Sequence, residues 1–453
     1  MISAEIKKLL GGFRDSLSGN LASEDGGKFR GDVMWNLLSL GVLGASGISI
    51  NILISIYYSP AYLGIFNQVY AVYIIASQVA ALGVHLSAQR SVAAHGEDRD
   101  EWKTAALSAW IVCLCTSLLG CAALYFLIPL VGSILDSPQV VEGLYWVLPG
   151  VGFFALNKVL LGILNGRRRM KAYALMNGLR LFLVLMVVLL CAVTGQPGQR
   201  LPVSFSLGEF VLLLCLMVLT YKDLWPSTLA QLRVWIGRHI KFGYKAMVAG
   251  IIMDINCRVD VLVLGVFVSD REVGLYSFAA MLAEGFNQIL VVLRINYNPL
   301  IARLWHEGKL PQLYSLFRAG RKKTYLIVAP LAAVLLVAFP LATWLVPALS
   351  AYQASFPVLA LLMAGIMSYA GYLPFSHLLL QSNSPGAQSV MTGVIVSMNF
   401  LLNLAMVPLW GKEGAALATA INFVLYGLWV HLIIRWKLGL ARNPRGAGLP
   451  SGD

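Results

Sequence analysis

Apolar runs of about twenty residues or more recur along this chain, and they constrain its fold more than any other feature. As a helix, a run of this length crosses the hydrocarbon core of a bilayer, where backbone polar groups must find their partners within the protein. The composition agrees, because 58% of the 453 residues are hydrophobic and only 12% are charged. A water-soluble domain needs more charge than this to cover its surface. We therefore predict an all-α integral membrane protein.

The hydropathy pattern predicts twelve transmembrane helices in two pseudo-symmetric bundles of six. They cover residues 33–58, 62–85, 104–130, 141–164, 172–195, 203–221, 244–268, 273–299, 324–349, 354–380, 386–410 and 413–435. An internal repeat supports the duplication, because Leu63-Gly64-Ile65-Phe66 corresponds to Val273-Gly274-Leu275-Tyr276 at a constant offset. Since six is even, the two bundles would share one orientation, related by an axis along the membrane normal.

Five regions follow from this pattern. They are a cytoplasmic amphipathic segment over 1–32, a first bundle over 33–221, a cytoplasmic linker helix over 222–243, a second bundle over 244–435 and a basic tail over 436–453. The amphipathic segment and the linker carry apolar residues at helical spacing among lysines and arginines, which is typical of helices in a membrane interface. Prolines within the spans predict interruptions that allow bending; they are Pro149, Pro330, Pro340, Pro347, Pro357 and Pro374.

The net charge of +13 does not indicate nucleic acid, because the basic residues follow one face of the predicted membrane. Of the 34 lysines and arginines, 26 lie in connections and tails on one side, counting Arg435 with the tail. Only Arg200, Arg271 and Lys412 lie in connections on the other side. The positive-inside rule then places both termini in the cytoplasm. Anionic membrane lipid is the expected partner of these charges.

Charged residues inside the predicted spans mark the candidate site. Charges at bilayer depth are costly, so they persist mainly where they face a bundle interior, a partner or water. Four basic residues are placed to form a cationic path from the inner face to beyond mid-membrane: Lys158, Arg180, Arg258 and Arg294. Guanidinium groups bind phosphates through two parallel hydrogen bonds. The sequence therefore predicts a binding site for a phosphate-bearing substrate, with structural pairing or snorkelling as the alternative.

Three acidic residues are candidates for coupling transport to H⁺ or Na⁺: Asp254, Asp260 and Glu284. The alternative is that they only balance the arginines, since Asp254 and Arg258 have the spacing of an ion pair within one helix. The histidines have no second ligand at metal spacing, so no metal site and no bound cofactor are predicted. Neither a phosphate-binding glycine-rich loop nor a nucleophile–base constellation is legible, so we predict a transporter rather than an enzyme.

Three segments resemble the polysaccharide-exporter family that includes the Wzx-type O-antigen flippases. They are RVDVLVLGVFVSDREVGLYSFAAMLAEGFNQI with NPLIARL, YLGIFNQVYAVYIIASQVAALGVHLSAQR, and LLGILNGRRRMKAYALMNGLR. The resemblance implies the MATE-like fold of the multidrug/oligosaccharidyl-lipid/polysaccharide exporter superfamily. It also implies a polyprenyl-diphosphate-linked glycan as substrate, flipped to the outer leaflet of a bacterial inner membrane by alternating access. A cationic cavity is implied with it, a role carried onto Arg258 and Arg180. A glycan polymerase of the same pathway is a further implied partner.

Two other functions remain open at this point. A cation-coupled multidrug exporter of the same fold would favour an acidic or aromatic cavity, whereas deep basic residues are prominent here. A membrane-embedded glycan polymerase or ligase would normally carry catalytic side chains on a large external loop. No predicted external connection exceeds about ten residues. The chain also shows no two extra C-terminal helices, which argues against a peptidoglycan-precursor flippase.

Overall fold

The computed structural model describes residues 24–96 and 98–438, and every regular element in these ranges is a helix. The α-helices are α1 Glu24–Tyr57, α2 Pro60–Ala81, α3 Val84–Ala94, α4 Arg99–Leu135, α5 Pro138–Gly166, α6 Met170–Val193, α7 Val203–Thr220, α8 Leu232–Asn256, α9 Val259–Phe267, α10 Asp270–His306, α11 Leu310–Leu345, α12 Phe356–Tyr369, α13 Leu378–Gln381 and α14 Pro385–Lys437. Short 3₁₀ segments are Gly198–Arg200, Tyr221–Leu224, Pro347–Ser355 and Leu373–Phe375. Residues 1–23 of the predicted amphipathic segment (1–32) lie outside the described residues. Residues 439–453 of the predicted tail (436–453) also lie outside them.

In the described ranges, ten helical segments are long and apolar enough to cross a membrane. The difference from the twelve predicted spans has two causes. Helix α14 contains the last two predicted spans, joined at Gly411, whose φ of 53° and ψ of −131° are not helical and suit glycine. The seventh predicted span is divided between α8 and α9. All twelve predicted segments are thus built from helix, and the all-α membrane fold is confirmed.

The prolines do not act as the sequence predicts. Helix α5 continues through Pro149, and α11 continues through both Pro330 and Pro340, so the predicted interruptions at these three positions are wrong. Pro347, Pro357 and Pro374 instead lie in the first turn of a helical segment. That position suits proline, because the missing N–H would have no partner in the helix there.

Helix α8 joins the predicted linker to the start of the predicted seventh span, and it packs on α2, α3 and α4 of the first bundle. A Cβ at Gly83 or Gly243 would overlap with the backbone of the opposite element. His239 is fully buried between α3 and α4, where the Ser87 hydroxyl donates to Nδ1 at 2.8 Å and Nε2–H donates to the Ala105 carbonyl at 2.9 Å. Burial lowers the pKa of His239 to about 4, so the neutral ring fastens α8 to the first bundle.

The two bundles meet where α2 packs along α10, a contact we call the seam. Gly64 and Gly274, which correspond in the internal repeat, face each other across it. A Cβ at Gly64 would overlap with the Asp270 carbonyl oxygen, and one at Gly274 would overlap with that of Pro60. The Asp270 carboxylate accepts hydrogen bonds from Gln68 and Ser137 of the first bundle, both at 2.7 Å. The seam thus closes the end of the molecule that carries the predicted outer connections.

Candidate functional site

The candidate site begins at a break in the seventh predicted span. Helix α8 ends at Asn256 and α9 begins at Val259. Between them the Arg258 amide donates to the Ile255 carbonyl at 2.9 Å, three residues back rather than four. Non-helical backbone at membrane depth is tolerated only where it is buried in protein or lines a water-filled cavity. Cys257 is exposed and Arg258 is half-buried, so protein does not fully cover this break, as expected if it lines a water-filled cavity.

A chain of three aromatic rings connects three of the four predicted cations. The Arg258 guanidinium carbon lies 4.3 Å from the ring centroid of Tyr70 on α2. The rings then follow one another, with Tyr70 and Tyr73 6.3 Å apart and Tyr73 and Phe154 5.6 Å apart. The Phe154 ring has Arg180 at 4.4 Å and the Lys158 nitrogen at 4.9 Å. Each contact has the cation–π geometry; we call Tyr70, Tyr73 and Phe154 the aromatic chain.

Arg180 is neutralised by a carboxylate that the sequence did not assign to it. Its Nε lies 2.9 Å from Glu209 Oε1, and the two side chains are only 13% and 2% exposed. Asn157 Nδ2 donates to the other Glu209 carboxylate oxygen at 2.7 Å and to the Glu209 carbonyl at 2.8 Å. Breaking such a buried pair strands one charge. Arg180 is therefore tied into the structure of the first bundle.

Lys158 is held by a neutral partner. Its ammonium donates to the Gln78 side-chain carbonyl, and the nearby Asp254 of α8 and Glu209 attract it electrostatically. Asp254 forms no ion pair within 4 Å of Arg258, although both side chains are described. The ion pair along one helix, which was the alternative role for these two residues, is not formed, because the helix ends between them.

Arg294 lies in a separate part of the second bundle. It is half-buried on α10, where it acts electrostatically on His377, Tyr369 and Tyr426. Tyr369 and His377 flank the interruption between α12 and α13, and Tyr426 of α14 lies beside it. The predicted spans 62–85 and 244–268 are likewise not continuous helices. The Nε of Arg294 is buried and has no hydrogen-bond partner in the described structure. Arg258 Nε and two nitrogens of Arg180 share that property. Among the described side chains, however, Arg258 and Arg294 form no ion pair, whereas Arg180 is paired with Glu209.

Asp260 is the centre of a polar cluster that joins α9, α10 and α14. Its carboxylate accepts hydrogen bonds from the Tyr276 hydroxyl at 2.6 Å, the Asn403 amide at 2.9 Å and the Thr419 hydroxyl at 2.9 Å. Glu284 lies between this cluster and Arg258, and the charges of Asp260 and Arg258 both act on it. Although protein surrounds Glu284, its side chain is accessible to solvent. Within the described ranges, no group of three His, Cys, Asp or Glu side chains is arranged to hold a metal ion.

Several residues of the site were not predicted from the sequence. Tyr70 and Tyr73 are three residues apart in a predicted span, so their shared helix face was legible. Their contacts with Arg258 and Phe154 depend on how three helices pack, which no local pattern encodes. The same holds for Glu209, whose partner lies on another helix.

Within the described ranges, the chain is an all-helical protein whose long apolar helices can cross a membrane, with arginines near two interruptions of the predicted spans. Solved structures share the fold. An inward-facing multidrug resistance MATE transporter is 13% identical, with a TM-score of 0.67 over 88% of this chain and 96% of its own. The lipid II flippase MurJ is 14% identical, with a TM-score of 0.69 over 92% and 94%. A superfamily transporter from Pyrococcus furiosus is 14% identical, with a TM-score of 0.59 over 90% and 95%.

The sequence identifies the family more narrowly. The chain belongs to the polysaccharide biosynthesis protein family, whose pattern it matches over residues 32–305, more than half its length. No curated protein sequence matches it. The predicted membership of a polysaccharide export family is thereby confirmed at the level of the polysaccharide biosynthesis family. The solved structures that share the fold are transporters and a flippase, in agreement with the prediction of a transporter rather than an enzyme.

Proposed function

We propose that this protein flips a polyprenyl-diphosphate-linked glycan from the cytoplasmic to the outer leaflet of a bacterial inner membrane. The observation that carries the proposal is Arg258, a half-buried arginine at a helix break, with a buried donor nitrogen that has no partner. Membership of the polysaccharide biosynthesis family supports a glycan as cargo. The similarity in fold to a protein named lipid II flippase agrees with a lipid-linked one.

A diphosphate fits the chemistry of the two free arginines. Each guanidinium offers up to five N–H donors in a planar fork, which matches two phosphate oxygens at once. Arg258 and Arg294 retain buried donors and form no ion pair with a described acidic side chain, whereas Arg180 is paired with Glu209 and Lys158 is held by Gln78. We therefore assign direct diphosphate binding to Arg258 and Arg294. Lys158, whose hydrogen-bond partner Gln78 is neutral, adds positive charge beside the aromatic chain, whereas the charge of Arg180 is balanced by Glu209.

The transport cycle requires the seam to open. With the seam closed, a charged headgroup would reach the helix breaks only from the side predicted to face the cytoplasm. Release on the other side requires α2 and α10 to separate, which breaks the hydrogen bonds of Asp270 with Gln68 and Ser137. Rocking of two bundles around a fixed central site is the usual form of alternating access.

Leaflet-resolved analysis of lipid-linked glycan in a deletion strain tests the proposal. We expect the glycan to accumulate on the cytoplasmic leaflet and surface polysaccharide to be lost, with both restored by the wild-type gene. A normal leaflet distribution together with new sensitivity to cationic dyes would instead support multidrug export. The aromatic chain and Glu284 are the features that favour that second candidate, yet cations already occupy the rings of Tyr70 and Phe154.

We further propose that Asp260 carries the coupling ion, H⁺ or Na⁺. Its three donors are neutral, so a proton or a small cation would compensate its charge without competing with a salt bridge. Asp260→Asn should remove the dependence of transport on the ion gradient while the protein still folds. Transport by the variant that follows an imposed Na⁺ or H⁺ gradient as the wild type does would exclude Asp260.

A further inference from the structure

A strongly basic groove lies on the second bundle, away from the aromatic chain. It has a volume of about 590 Å³ and is lined by Arg318, Arg321, Lys322, Tyr325 and Tyr372. Helix α11 contributes the first four residues, and the connection after α12 contributes Tyr372. The volume is in the range of sites that bind small molecules. We call it the basic groove.

The cations of the groove have no counter-charge. None of Arg318, Arg321 and Lys322 forms an ion pair with a described acidic side chain. Arg435 of α14 adds a fourth positive charge nearby, since it and Arg321 both act on the His431 ring, which packs on Tyr372 at 5.7 Å. Like charges gathered in this way repel one another. The arrangement is favourable when an anion lies among them.

The groove also has a fixed wall. Arg321 Nη1 donates to the Tyr372 hydroxyl at 3.0 Å, and its guanidinium lies 5.5 Å from the centre of that ring. Gly371 lets α11 approach closely, because a Cβ there would overlap with the Arg321 and Tyr325 side chains. Arg321 is thus held in place, while Arg318 and Lys322 are exposed and free to contact a ligand.

The position of the groove along α11 indicates that its ligand is a lipid rather than a soluble anion. Within two turns of Lys322, the same helix presents Leu326 and Ile327, 69% and 39% exposed, as an apolar surface. Basic residues followed directly by exposed apolar ones mark the level at which a helix passes from the headgroup region into hydrocarbon. A ligand here would meet cations with its headgroup and apolar side chains with its tails.

We propose that the basic groove is a binding site for the phosphate headgroup of an anionic membrane phospholipid, on the side predicted to face the cytoplasm. Guanidinium and ammonium groups bind the phosphate, the Tyr325 and Tyr372 rings close the ends of the groove, and the acyl chains lie along α11. None of the residues that line the groove is among those assigned to diphosphate binding, Arg258 and Arg294, so the phospholipid proposal does not rest on the flippase proposal.

Native mass spectrometry of the full-length protein in detergent tests the site, with phosphatidylglycerol as the anionic probe and phosphatidylcholine as the neutral one. The test variant is Arg318→Gln/Lys322→Gln, which leaves the Arg321–Tyr372 contact intact. The matched control is Arg303→Gln/Lys309→Gln, which removes the same charge from the same connection. Its two cations are already paired with Glu307, each at 2.9 Å.

We expect phosphatidylglycerol to bind the wild type and the control equally, and the test variant roughly 10- to 30-fold more weakly, since each surface cation contributes on the order of 1 kcal/mol. Phosphatidylcholine should bind all three weakly and alike. Equal phosphatidylglycerol affinity in all three proteins would overturn the proposal.

Two competition arms identify the source of the phosphate. Displacement of phosphatidylglycerol by inorganic diphosphate at lower concentration would mean a site for a soluble anion. Stronger groove-dependent binding of farnesyl diphosphate than of phosphatidylglycerol would mean that the groove receives the lipid-linked diphosphate. Either result would overturn the assignment to phospholipid.

Discussion

Arg258 holds a positive charge inside the protein and forms no ion pair within 4 Å of a described carboxylate, although its charge acts on Glu284. The break between α8 and α9 exposes its surroundings to water, which lowers the cost of that charge, and the Tyr70 ring stabilises its guanidinium. Its neighbour Asp254, one helical turn earlier in sequence, does not pair with it. The charge is thus kept available for a substrate.

Replacing Arg258 tests whether the charge of this one residue binds the substrate. Arg258→Ala should lower glycan export by about 10- to 100-fold, because a hydrogen bond to a charged group contributes about 1.5–3 kcal/mol. Arg258→Lys should give an intermediate rate, since it keeps the charge but loses the planar fork. Protein levels by immunoblot and export by surface-glycan staining are the measurements. Arg303→Ala, whose residue is exposed and paired with Glu307, is the control; unchanged export by Arg258→Ala would remove Arg258 from the site.

Arg180 is expected to behave differently, because its partner is a buried carboxylate. Arg180→Ala or Glu209→Ala should each destabilise the folded protein by about 3–5 kcal/mol, since each leaves an uncompensated buried charge. The double change Arg180→Met/Glu209→Leu should recover most of the loss. Thermal unfolding of purified protein in detergent measures this. Two single variants as stable as the wild type would show that the pair contributes little.

At the scale of elements, the sequence predicted the spans well and the breaks poorly. Long apolar runs can only be helices in a bilayer, so the twelve segments were legible without any knowledge of packing. The proline at 149 and those at 330 and 340 were expected to interrupt helices, yet α5 and α11 continue through them. One observed break, at Asn256–Arg258, has no proline or glycine within five residues, whereas the interruption between α12 and α13 contains Gly371 and Pro374. The break at Asn256–Arg258 depends on contacts of α8 with the first bundle and of α9 with α14, which are far apart in sequence.

The candidate site also has one part that the sequence predicted and one part that it did not. Its charged members were predicted, because charge is conspicuous in an apolar span. The partners that decide their roles were not, since Glu209, Tyr70 and Asn403 approach them from other helices.

The seam gives a prediction about conformation. Gly274→Val should hold α2 and α10 apart, because the added side chain has no space against the Pro60 carbonyl. In a cysteine-free background, spin labels at the exposed positions Ile134 and Leu409 report the separation of the bundles at this end. We expect their distance distribution to shift to longer values.

Gly393→Val is the matched control for that experiment. Gly393 also lies in a helix of the second bundle, but no atom would contact an added Cβ within 4 Å. Its distance distribution should match that of the wild type. If Gly274→Val also matched the wild type, the seam would not limit opening.

For the molecule as a whole, the asymmetry of basic residues predicts topology. Fluorescent-protein fusions at either terminus should be bright, because both termini are expected in the cytoplasm, where the fluorescent protein folds. An alkaline phosphatase fusion after Arg200, in a predicted outer connection, should be active, because the phosphatase folds outside the cytoplasm. Bright fluorescence at Arg200 and phosphatase activity at the termini would invert the orientation.

Helix α9 has a consequence for energetics. It carries Asp260 in its first turn and, about one and a half turns later, Gly265 packed against Gln68 of the seam. Because the nine residues of α9 form one rigid helix, ion binding at the proposed Asp260 site and opening of the seam would both move that helix. Linkage then requires reciprocity: if the ion changes the equilibrium of seam opening by some factor, opening changes the ion affinity by the same factor. Gly274→Val replaces none of the groups that contact Asp260, although the donor Tyr276 lies two residues further on, and it should therefore shift the sodium or proton concentration at which transport is half-maximal.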